Sequence, residues 1–227
     1  MDFTTTEQAA AAVLPPGFSA VEGFRAYARV GRWTSNCVGN FTGGSIGIET
    51  EFAGERGFLV LAMYMDSPTA IIFGRDVLGE PKRPARAELF PTRGGWYGSL
   101  ERHGATILEL ELFGAQSAGP ATATSATFNV KSHLAADGSG LSGDAVVTRA
   151  QFTTDVWSRW TGAGRIVLGC TPHDPLSELA VDRVIGASFS EGESTVRAGD
   201  VGTIDGTAFL PYALARIDDP TKLETYR

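Results

Sequence analysis

Cysteine, histidine and lysine are all scarce in this sequence. Its two cysteines, Cys37 and Cys170, lie far apart with no second cysteine at metal-ligand spacing, so neither a disulfide framework nor a zinc ribbon is supported. Two free, buried thiols are expected instead. His103, His133 and His173 stand singly and suggest no metal site. Basic charge is also short: 26 acidic against 19 basic residues leave a net charge of −7, which argues against nucleic acid or an anionic membrane as the partner. No stretch reaches the roughly eighteen apolar residues of a membrane span, and Met1-Asp2-Phe3-Thr4 lacks the basic start and apolar run of a signal peptide. A soluble, cytoplasmic protein is expected. A Gly-rich phosphate loop, HExxH, a GxSxG elbow and a Rossmann fingerprint are all missing. No metal or cofactor is therefore expected.

What is present points to a mainly β chain with few helices. Of 227 residues 43% are apolar, enough for one domain spanning 1–227, and 28 glycines supply many turns. Thr4 to Leu14 reads as a short helix stopped by Pro15-Pro16-Gly17. Phe58 to Met65 is apolar throughout and reads as a strand buried on both faces, and Ala70 to Phe73 as a shorter one. In Ile107 to Phe113 leucines alternate with Glu109 and Glu111, as a half-solvated strand requires. Thr122 to Val130, Ala145 to Thr154, Arg165 to Leu168 and Ala187 to Phe189 are further strands. Asp174 to Ile185 carries an acidic start, Pro175 in its first turn and Gly186 as terminator, which predicts the one longer helix, with His173-Asp174 capping it. The polar tail from Asp218 to Arg227 is expected to be mobile or packed on a neighbour.

Lysine scarcity narrows the search for covalent chemistry, since Lys82, Lys131 and Lys222 are the only lysines. Lys82 stands out. In Met63 to Phe90 an apolar strand passes through Gly74-Arg75-Asp76 into Gly79-Glu80-Pro81-Lys82-Arg83-Pro84, so an amine emerges from a rigid turn next to the most apolar stretch. A lysine is nucleophilic only without its proton, and desolvation beside a second cation disfavours the ammonium form. Arg83 is the immediate candidate for that cation, because it cannot shed its own proton. Tyr64, Asp66, Asp76 and Glu80 are local candidates for a proton shuttle, and Asp76 can equally pair with Arg75.

The stretch Met63 to Phe90 resembles the acetoacetate decarboxylase family, whose hallmark is a strand, a Gly-Arg-acidic turn and a Pro-Lys-Lys in which the first lysine forms a Schiff base; Lys82 matches that lysine. Trp160-Thr161-Gly162-Ala163-Gly164-Arg165, the segment Pro175 to Val181 and the opening Val13-Leu14-Pro15-Pro16 are similar to further family segments, in order along the chain. The resemblance implies an antiparallel β-barrel or cone enclosing a pocket, a homo-oligomer, and a small-molecule oxo acid as substrate, with Lys82 and Arg83 catalytic and Tyr64, Arg75, Asp76 and Glu80 around the substrate. Two departures accompany it. Arg83 replaces the second lysine, and the family's two pocket glutamates fall on Ala28 and Gly43; Glu49 and Glu51 alternate with Ile48 and Phe52 as solvent-facing strand residues. Three functions follow as expectations: decarboxylation of a β-oxo acid, aldol or dehydration chemistry on a larger oxo acid through the same iminium, or a noncatalytic barrel holding an apolar acid between Lys82 and Arg83.

Overall fold

A computed structural model describes residues 1–214; the expected tail from Asp218 lies outside the described residues. The elements in chain order are β1 (Asp2–Thr4), α1 (Glu7–Val13), β2 (Phe18–Ala20), β3 (Arg25–Ser35), β4 (Gly39–Phe52) and β5 (Glu55–Met65). They continue with α2 (Pro68–Phe73), a π-helical turn (Gly74–Leu78), β6 (Lys82–Pro84), β7 (Arg86–Thr92), β8 (Gly95–Arg102), β9 (Ala105–Ser117) and β10 (Ala121–Lys131). β11 (Ala145–Leu168), a 3-10 turn (Leu176–Glu178), β12 (Arg183–Ile204) and α3 (Gly206–Leu214) complete them. None of these helices is long and apolar enough to cross a membrane.

The hydrogen-bonded path runs β10-β5-β4-β3-β1-β12-β11 and returns to β10, so these strands form a closed ring from which β9, β8 and β7 extend. Pairing is antiparallel except for β10 with β5 and β6 with β5. The apolar run of β5 has a local cause. Ile46 faces Ala62 while Gly47 faces Val60, leaving Leu61 as the extra residue of a bulge. Most buried apolar side chains form one core, in which Phe128 lies within 5.8 Å of the Phe18 ring and 6.2 Å of the Phe52 ring. A smaller cluster of Val60, Met63 and Met65, with Phe41 and Ile71 against it, covers another part of β5.

Helix α1 is threonine-capped as expected but shorter than the stretch Thr4 to Leu14: Thr4 ends β1, and the Thr6 hydroxyl accepts from the Ala9 N–H at 3.2 Å to start the helix at Glu7. Other expectations are corrected. Ala70–Phe73 is helical, not extended, because Ser67 accepts from the Ala70 N–H and Pro68 occupies the first turn; these start signals outweigh the β preference of Ile71, Ile72 and Phe73. The segment Asp174–Ile185 forms only the 3-10 turn. Arg183, Val184 and Gly186 pair instead with Thr4, Phe3 and Asp2 of β1, and strand pairing overrides the helical period. The strands expected at 145–154 and 165–168 are parts of one 24-residue strand, β11. The two cysteines are free, but both are exposed rather than buried. Glu109 and Glu111 are half-buried as the alternation requires, and accept from Tyr97 and Arg165 respectively.

Candidate active site

Lys82 is 7% exposed, and its Nζ lies 2.7 Å from Glu80 Oε2. The turn between them explains the meeting. Pro81 fixes its own φ near −65°, and the Lys82 N–H donates to the Glu80 carbonyl at 2.7 Å, closing a three-residue turn about the proline. Phe41 caps the amine, with Nζ 5.9 Å from its ring centroid. From the other direction the backbone of Gly74 presses on the pair: a Cβ there would fall on the Glu80 carboxylate and only 2.6 Å from Nζ. A charged pair is thus held against a mostly apolar lining, where water cannot compete freely for either partner.

Arg83 faces the other way. Side chains alternate along a strand, and β6 pairs with β5 in a register that sets Lys82 beside Met63 of the smaller cluster and Arg83 beside Tyr64 of the main core. Its Nη1 donates to Asp174 Oδ1 at 3.0 Å and to the His173 carbonyl at 2.6 Å. The expectation that Arg83 supplies a cation beside the amine is therefore corrected: adjacency in sequence becomes opposition across a strand. Asp174, fully buried, also accepts from Tyr64 Oη at 2.8 Å and from Arg102 Nη1 at 2.7 Å. Burial, with the Asp174 charge adding to it, pushes the Tyr64 hydroxyl far above the usual tyrosine range, so Tyr64 is a neutral donor. It is not at hand as a proton shuttle for an amine on the opposite face.

Of the other expected residues, Glu80 adjoins Lys82, whereas Asp76 is exposed on the π-helical turn and Arg75 donates from Nη1 to the Lys82 carbonyl at 3.4 Å. Asp66 accepts from the Thr42 N–H. Gly43 has no room for any side chain, since its Cβ would meet the Tyr64 carbonyl and Met65 Sδ. Glu49 and Glu51 are half-buried on β4, where they alternate with Ile48, Thr50 and Phe52. The carboxylate beside the amine thus comes from the turn before Lys82, not from β4. A cavity of about 270 Å³ opens on the outer strands between Arg86, Tyr97 and Glu101; it includes neither Lys82 nor Glu80, and we take the buried ion pair, not this void, as the mark of the site.

The family model for acetoacetate decarboxylase matches residues 1–203, nearly the whole described chain. The chain belongs to the acetoacetate decarboxylase family. Its fold is similar to that of acetoacetate decarboxylase from Legionella pneumophila subsp. pneumophila str. Philadelphia 1, with a TM-score of 0.78 at 21% identity over 89% of this chain and 83% of that one. It is also similar to the enduracididine biosynthesis enzyme MppR complexed with pyruvate, at TM-score 0.64 and 16% identity over 92% and 87% of the two chains. An acetoacetate decarboxylase-like enzyme from Sphingomonas wittichii RW1 aligns at TM-score 0.63 and 20% identity, covering 90% and 87%. No curated protein matches the chain in sequence. Family membership and the mostly β fold agree with the sequence reading. Asp174, Arg102 and Phe41 were not anticipated as site-forming; Asp174 stands before a proline and reads locally as a cap, while Arg102 and Phe41 acquire their roles only through contacts distant in sequence, and Gly74, part of the Gly-Arg-Asp turn, shows its packing on the pair only in the structure.

Proposed function

We propose that this member of the acetoacetate decarboxylase family is a Schiff-base-forming lyase for a small oxo acid, with Lys82 as nucleophile and Glu80 as its proton shuttle. The observation that carries the reading is the buried Lys82 Nζ at 2.7 Å from Glu80 Oε2. Glu80 takes a proton from the ammonium, and the free amine adds to the substrate ketone. The carboxyl then returns that proton to the departing hydroxyl, so water leaves and an iminium remains. In a β-oxo acid the bond to the carboxylate breaks, carbon dioxide departs, and the electron pair moves into the iminium to give an enamine. A proton from solvent, relayed by Glu80, is added to carbon, and water then hydrolyses the iminium to release the ketone and Lys82. Arg75, exposed and donating from Nη1 to the Lys82 carbonyl, is the cation assigned to the substrate carboxylate, and Asp76 adjoins it on the same turn.

Glu80 itself favours a second reading. A carboxylate within bonding distance of the amine can also remove an α-proton from the iminium of a larger oxo acid, which leads to aldol or dehydration chemistry. One experiment separates the readings. The chain is incubated with acetoacetate and with pyruvate in heavy water, carbon dioxide and α-deuterium are measured, and a parallel sample is reduced with borohydride for mass spectrometry. Carbon dioxide from acetoacetate supports decarboxylation, whereas deuterium exchange in pyruvate without it supports the second reading. No adduct on Lys82 in any sample rejects both. The same proposal takes residues 1–227 as one cytoplasmic domain working as a homo-oligomer, for which the exposed Trp157, Ile185 and Val196 supply apolar surface; light scattering counts the copies.

A further inference from the structure

The strand that carries the reacting amine is short and paired along one edge. Among the described strands β6, with three residues, pairs with β5 alone and in parallel, flanked by backbone bonds from the Met63 N–H to the Pro81 carbonyl at 3.3 Å and from the Ala85 N–H to the Met65 carbonyl at 3.0 Å. A slip of one residue would exchange its faces and send Lys82 into the main core or out to solvent. Side chains on the opposite face resist that slip. Asp174 Oδ1 accepts from Tyr64 on β5 and from Arg83 on β6, whose positions face each other in the register. Its other oxygen accepts from Arg102 on β8, and Arg102 Nε donates to the Pro84 carbonyl at 3.0 Å, at the end of β6. Thr171 Oγ1 in turn accepts from the Asp174 N–H at 3.0 Å, fixing the carboxylate's own backbone.

We infer that Asp174 is a positioning residue: through Arg83 and Arg102 it locks the register of β6 and so aims Lys82 at Glu80 from the far side of the strand. The inference rests on Lys82 being the reacting amine, but it concerns the direction of that side chain, which can be read without any turnover. Its chemistry suits the task. One carboxylate with charge-assisted bonds from two guanidinium groups and a neutral tyrosine joins three strands at one point, and the geometry of two planar forks tolerates little sliding.

The test uses the full chain and two variants, Asp174→Asn and Arg83→Met. The second leaves Asp174 bonded to Arg102 and Tyr64, and so tests the lock even if the first fails to fold. Each protein is treated briefly with limiting acetic anhydride, and acetylation of Lys82 is measured against the half-buried Lys131 by peptide mass spectrometry. In the native chain Lys82, 7% exposed and ion-paired with Glu80, is expected to label more slowly than Lys131. Loss of the lock raises the Lys82 to Lys131 ratio about tenfold with the circular dichroism unchanged, whereas general loosening raises both lysines together. Borohydride trapping with a saturating oxo acid falls about tenfold or more in the same variants, as a kcat effect without a matching rise in KM. An unchanged labelling ratio in a folded variant overturns the positioning role. Failure of the native chain to trap any oxo acid overturns the lyase reading alone, because the labelling ratio still decides the lock.

Discussion

Gly74→Ala adds one methyl group where the lysine and its carboxylate meet. Gly74 has φ −67°, an ordinary helical value, so the position demands glycine for space and not for backbone freedom. The new Cβ would lie 2.6 Å from Lys82 Nζ and 2.7 Å from Lys82 Cδ, about 1 Å inside the ~3.5 Å that non-bonded heavy atoms need. Two responses are open. Pushing the π-helical turn off β6 costs about 1–3 kcal/mol of overpacking, against at most ~1 kcal/mol gained from alanine's helix preference. Moving the Lys82–Glu80 pair instead displaces the amine by roughly 1 Å, enough to lower a positioned reaction about 100-fold. The first response lowers Tm by about 2–4 °C for each kcal/mol lost in a domain of this size. Thermal unfolding and the rate of borohydride trapping on Lys82 are measured on the same preparation. Native Tm together with a native trapping rate would refute the claim that the Gly74 backbone packs directly on the Lys82–Glu80 pair.

Glu80→Gln keeps the shape of the site but removes the proton acceptor, and it is expected to slow imine trapping about 10²–10⁴-fold while Lys82→Ala abolishes it; equal rates for Glu80→Gln and native protein count against the shuttle. Because folding raises the Tyr64 hydroxyl above its ordinary value of 10.0, the folded state holds that proton more tightly than the unfolded state; the associated stability is complete below about pH 10 and declines as pH rises beyond it. Urea unfolding from about pH 8 to pH 11 measures this slope, and Tyr64→Phe flattens it while costing about 1–3 kcal/mol for the bond withdrawn from Asp174. Phe128→Ala, which empties a position of 0% exposure between Phe18 and Phe52, is expected to cost about 3–5 kcal/mol in the same measurement, and a loss below 1 kcal/mol would mean that this core collapses around the gap.

Periodicity was a sound guide wherever one strand carried its own pattern. Phe58 to Met65 is strand throughout with no exposed residue, and the leucine–glutamate alternation of β9 sets Leu108 and Leu112 inward. It misled where local signals disagreed with each other or with distant pairing. Ser67-Pro68 outweighed Ile71-Ile72-Phe73, and β1 drew Arg183 to Gly186 away from helix. The exposure of Cys37 and Cys170 was equally invisible, since burial depends on neighbours that a single segment does not name.

From the chain alone came the family, the strand-rich class and the one lysine worth attention, because each depends on residues close together in sequence: an apolar strand, a Gly-Arg-Asp turn and a proline before Lys82. Even the partner of the amine was within reach, since Glu80 is two residues away and Pro81 bends the backbone so that the two meet. Only the tertiary structure decided which charge does not help. Arg83, the nearest cation in sequence, is turned through the strand to Asp174, 91 residues on, while Arg102 arrives from a third strand to share the same carboxylate. Strand alternation sends neighbours to opposite faces, and long-range pairing chooses what waits on each face.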